Sequence, residues 1–178
     1  LRSTLALVEK DPAMLKARGE ALSYRTQQME QIHLLLALLN QENGLTAQLL
    51  RKMEISVESL NAAARQALRK IPSVTGSREA DKFYITADVD AAFTSAQHHA
   101  EAMRDSYVSV EHLFLGLLDA AKGETEELFR MYRIQKEACM VALQSIRGNQ
   151  RVTTDNPEGT YEALEKYGID LVKRAREH

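Results

Sequence analysis

Two histidines, His33 and His112, each stand just ahead of a leucine-rich run, in IHLLLALL and EHLFLGLL. Imidazole titrates near neutrality, so such residues offer either a pH switch or a hydrogen bond to a helix start. If Ser109 caps the second helix, His112 is its third residue, where a side chain reaches back toward the cap. Two carboxylates, Asp105 and Glu111, flank the same turn in DSYVSVE. An acid in a first helical turn is favoured by the helix dipole. The functional reading is an acidic edge beside exposed apolar groups, suited to a basic or amide-rich peptide. His98, His99 and Glu101 hint at a metal, but adjacent residues on a helix point about 100° apart, so a solvated face is the expectation. Cys139 is a nucleophile only beside a base, and a small core residue otherwise. None of the eight glycines is followed by Lys, so the P-loop route to nucleotide hydrolysis is closed. There is no H-E-x-x-H and no G-x-S-x-G. No catalytic constellation emerges.

The elements that position these residues come in two copies. A shift of 79 positions lays residues 33–67 over 112–146 without a gap. His33/His112, Leu36/Leu115, Leu39/Leu118, Gly44/Gly123, Thr46/Thr125, Leu49/Leu128, Ile55/Ile134 and Ala63/Ala142 are identical pairs. The apolar positions agree best, as a shared packing plan requires. Cys139 falls over Leu60, which favours its core reading.

Each copy reads as four helices, giving an all-α chain of two pseudo-symmetric four-helix repeats. The first copy is expected over roughly 12–25, 30–40, 45–53 and 56–69. In the second, Thr86 caps a helix with Val89, Ala92, Phe93, Ala96 and Ala100 on one stripe, and Ser109 caps the next. Leu115 lies off the stripe of that helix, so it is apolar on most sides and central. A short helix follows Gly123, and the last begins near Gln135. The organisation expected is an uncertain segment at 1–11, one domain over 12–147 (repeats 12–69 and 86–147), a linker at 148–157, and a further helix within 158–178. Residues 70–85, rich in Pro, Ser, Thr and Gly, form the loop between the repeats.

Composition agrees. Eight glycines and three prolines among 178 residues are too few for a sandwich or barrel. A net charge of −2 gives no long-range field for nucleic acid or an acidic membrane. The longest apolar run, Leu34–Leu39, is far short of a membrane span. One cysteine excludes an intrachain disulfide and fits a reducing compartment. Leu1 at the start suggests a piece of a longer chain.

The paired IHLLLALL and VEHLFLGLL segments resemble the double repeat of the Clp N-terminal domain, with YVSVEHLFLGLLD the most specific stretch. The tail GNQRVTTDNPEGTYEALEKYGIDLVKRARE resembles the junction leading into the first AAA+ module of ClpB-type disaggregases. The resemblance implies a substrate-recognition accessory domain that binds unfolded or aggregated polypeptide through an apolar groove. By position it implies Phe93, Asp105, Val110 and Glu111 as substrate-binding residues, the acids forming rims; Phe93 also fits a purely core role. It implies no cofactor in this stretch, and ATP with magnesium in the parent chain. It further implies a cytoplasmic homohexameric parent working with a DnaK-type chaperone system, while the stretch itself is monomeric. The alternative is docking of adaptor proteins to a Clp protease unfoldase, or reading of phosphoarginine. Phosphoarginine readers use the acid of E-H-[IL] in both repeats. Here Ile32 precedes His33, so one acid is missing.

Overall fold

The computed structural model describes residues 28–41, 44–72 and 84–148. The helix expected over 12–25, the segment 1–11 and the final helix lie outside the described residues, as does all but the first residue of the linker. Within them the chain is all-α apart from one pair of two-residue strands. The first repeat supplies α1 (Gln31–Leu39), α2 (Leu45–Lys52) and α3 (Val57–Arg69). The second supplies α4 (Ala87–Ala102), α5 (Val110–Ala120), α6 (Gly123–Met131) and α7 (Lys136–Arg147).

The leucine-rich helices are central, as their all-round apolar character requires. Every residue of α1 is buried, and so is α5 from Val110 to Leu117. These two helices touch, and α2, α3, α4, α6 and α7 surround them. Helix starts follow local chemistry. The Ser56 hydroxyl accepts from Ser59 N and the Thr86 hydroxyl from Val89 N, each at 3.2 Å. Such caps satisfy N–H groups that have no partner inside the helix. Between α5 and α6, Phe114 and Phe129 meet edge to face at 6.2 Å. Cys139 is fully buried, and burial pushes its thiol up to about 12, so it behaves as a small apolar side chain.

Helices α4 and α5 cross closely. A Cβ at Gly116 would stand 2.3 Å from Ala92 O and 2.7 Å from Ala96 N. The repeat equivalent of Gly116 is Ala37, so the glycine marks where α4 approaches and not a property of the shared helix.

Besides helix packing, two backbone-anchored features help join the repeats. Gln28–Met29 (β1) pairs in parallel with Tyr84–Ile85 (β2), in the register Gln28↔Tyr84 and Met29↔Ile85. Two-residue strands are too short to leave a periodic signal, so the sequence pattern does not show them. The second feature is Gln31, only 4% exposed. Its Nε2 donates to Asp88 O at 3.0 Å and Ala120 O at 2.7 Å, and its Oε1 accepts from Lys122 N at 2.9 Å. One first-repeat side chain thus ties three backbone groups of the second.

Candidate functional site

Asp105 is placed by a helix end. The α4 helix closes with Arg104 left-handed at φ 58°, and Asp105 N returns to Ala100 O at 2.9 Å. This six-to-one bond is the helix-ending turn usually built on glycine. It folds the Asp105 side chain back under the start of α5.

His112 is placed by the helix that follows. Ser109 N donates to His112 Nδ1 at 2.8 Å, so Nδ1 is the acceptor and Nε2 carries the proton. Nε2 then donates to Asp105 Oδ2 at 2.7 Å. The other Asp105 oxygen accepts from the guanidinium of Arg147, the last residue of α7. Arg147 also donates to Met103 Sδ at 3.3 Å and stands 3.9 Å from Glu111 Oε1. The side chains of Asp105, Glu111 and His112 are fully buried, and that of Arg147 is 7% exposed. Burial pushes the His112 imidazole below its ordinary value, against the upward pull of Glu111 and Asp105.

This corrects the expectation of exposed acidic rims. Asp105 and Glu111 point inward because a cation and an imidazole wait there, and a buried carboxylate without such partners would be too costly. Phe93 (8% exposed) and Val110 (3%) belong to the apolar core. Asp105 and Glu111 do gather around one point; none of the four expected residues offers its side chain freely at the surface. Arg147 was missed. Its signal lay in the repeat comparison, where Thr26, Ile32 and Leu68 stand over Asp105, Glu111 and Arg147. Three polar or charged residues change together between copies, the mark of a compensated set.

The first repeat keeps the histidine and loses the cluster. Glu30 N donates to His33 Nδ1 at 2.9 Å, just as in the second copy. His33 Nε2 is buried and meets no hydrogen-bond partner among the described residues. Burial lowers the His33 imidazole to about 4. The unfolded chain, with an ordinary imidazole near 6.5, therefore binds the proton more readily. Stability should be fully present above about pH 6.5 and fall by about 3 kcal/mol as pH drops to about 4. Burial of His112 acts in the same direction. Urea denaturation across this range checks the slope. His33→Gln, which keeps an acceptor for Glu30 N without titrating, should flatten it; an unchanged slope would place the effect elsewhere.

His99 and Asp119 make a separate surface cluster. His99 Nε2 lies 2.6 Å from Asp119 Oδ2, Ser95 Oγ donates to the same oxygen at 2.9 Å, and Lys136 Nζ lies 2.9 Å from Oδ1. Burial raises the Asp119 carboxyl, but the hydrogen bonds from Lys136, His99 and Ser95 outweigh it and hold the group below its ordinary value. Ser95 donates to the acid and not to the imidazole, so this is no nucleophile–base pair. Among the described residues no helix is long and apolar enough to cross a membrane.

A last feature is an open groove of about 740 Å³ between the repeats. The turn after α2 supplies Met53 and Ile55, the turn after α6 supplies Tyr132, and α7 supplies Val141. Both turns contain a left-handed residue at equivalent repeat positions, Glu54 (φ 60°) and Arg133 (φ 55°).

Comparison with known proteins adds lineage to this geometry. The family model described as the Clp repeat (R) N-terminal domain matches residues 11–132. The chain is 42% identical over 165 residues to the chaperone protein ClpB of Bacillus cereus, covering 92% of this chain and 19% of that protein. It is 38% identical over 166 residues to ClpB of Nitratidesulfovibrio vulgaris. The chain thus spans about a fifth of the length of the curated relatives it matches. Among solved structures, the Hsp104 N-terminal domain from Candida albicans superposes with a TM-score of 0.70 at 20% identity, covering 83% of this chain and 94% of that one. The N-terminal domain of the ClpV1 ATPase from E. coli superposes at 0.64 and 16% identity, covering 81% and 89%. At these identities the superpositions speak for the fold alone. The repeat-family match shows that the chain belongs to the Clp repeat N-terminal domain family.

Proposed function

We propose that this domain is the substrate-recognition accessory unit of an ATP-dependent protein disaggregase, binding unfolded or aggregated polypeptide. The match to ClpB chaperones along 92% of the chain carries this reading. The parent chain uses ATP and magnesium in a homohexameric ring, in the cytoplasm and alongside a DnaK-type chaperone system. The domain itself is monomeric, catalyses nothing, and hands its client to the ring. Loose, fast-exchanging contact suits that task, because tight capture would slow release.

The experiment is an NMR titration of the domain with casein as an unfolded client. Weak, reversible shifts confined to one surface are the expected result. In the parent chain, removing residues 1–147 should slow recovery of aggregated protein more than it slows ATP hydrolysis. A domain that shifts with no unfolded client, and instead forms a stable complex with one folded protein in a pull-down, would make it an adaptor-docking unit.

A further inference from the structure

The groove between the repeats differs from the rest of the surface in three ways. First, it is lined by Val141, at 72% the most exposed of the large apolar side chains among the described residues. Met53, Ile55 and Tyr132 add further apolar surface to the lining. Second, the shared fold does not demand this exposure. The repeat equivalent of Val141 is Ala62. One copy carries a small residue at this position, and the other an exposed branched apolar one. Third, cations edge the groove. Among the described residues, Lys52 Nζ bonds a hydroxyl, Ser145 Oγ, at 2.7 Å. Lys52 and Arg133 make no ion pair among the described residues, and Glu54 is the one acid in the lining.

Methionine is unbranched and polarizable, so it adapts to partners of varied shape. An apolar patch that serves varied partners reads as a contact surface and not as misplaced core. The cations add direction, because an unpaired basic edge favours carboxylates on whatever lies in the groove. We propose that the groove between the 53–55 and 132–134 turns holds apolar segments of non-native polypeptide that carry acidic residues beside the apolar run. This rests on the client-binding reading above, and gives it a seat away from the buried Phe93, Val110 and Glu111.

Two labelled peptides test it on the whole chain: one apolar run flanked by Asp and Glu, and the same run flanked by Lys. The acidic-flanked peptide should bind about fivefold more tightly. Val141→Glu should weaken it about tenfold, while circular dichroism and thermal melting stay as in the parent, since the side chain is largely solvated. Lys52→Glu with Arg133→Glu should reverse the order of the two peptides. If casein and the peptides bind but Val141→Glu changes nothing, clients sit elsewhere and the proposal falls while the broader reading stands. If neither casein nor peptide binds, both fall. If sedimentation shows concentration-dependent self-association that Val141→Glu abolishes, and peptides do not compete, the occupant is a second copy and the proposal is overturned.

Discussion

Arg147→Leu should destabilise the domain by about 3–5 kcal/mol, a cost expected when one member of a buried ion pair is removed. Arg147 is the cation that bonds Asp105 and faces Glu111, and both acids are fully buried. Leucine leaves their charge without that compensation in a low-dielectric interior, where the alternative is to protonate them. The triple change Asp105→Thr, Glu111→Ile and Arg147→Leu installs the residues that stand at the equivalent positions in the first repeat. It should recover about 2 kcal/mol or more of the loss, because exchanging buried ionised partners together for uncharged residues is often neutral or better. His112 Nε2 then loses its acceptor, a condition the first repeat already tolerates at His33. Urea denaturation with comparable slopes for all variants reads the result. A loss under about 1 kcal/mol for the single change would mean that water reaches the cluster.

Gly116→Ala should cost about 2–3 kcal/mol net, although alanine is the better helix former. Intrinsic preference favours alanine by about 1 kcal/mol in a helix interior. Against that stands a contact that cannot be made: the new methyl would lie 2.3 Å from Ala92 O and 2.7 Å from Ala96 N. Both are backbone atoms, so no rotamer change relieves the overlap and α4 must lift from α5. The mirror change in the first repeat, Ala37→Gly, should cost about 1 kcal/mol from helix preference, plus the packing of one methyl group. Thermal melting of the pair separates the two effects. A Gly116→Ala protein more stable than the parent would contradict the close crossing.

Both predictions turn on differences between two copies of one plan. The plan itself was legible in the chain. The 79-residue shift located the repeats, and the apolar run around Leu115 marked α5 as central. The position of His112 three residues after Ser109 foretold its bond to the helix start. These are local properties, fixed by periodicity and by groups a few residues apart. The direction of a side chain is not local. Asp105 and Glu111 read as surface acids because their partner Arg147 lies 42 residues beyond Asp105, at the end of another helix. The groove likewise needs two turns, 79 positions apart in the chain, to come together with α7. Among the described residues, sequence alone determined the helices, their repeat and their central pair. Tertiary structure decided which charges are buried and which apolar faces stay open, because those follow from the neighbours that distant segments bring and the water they exclude.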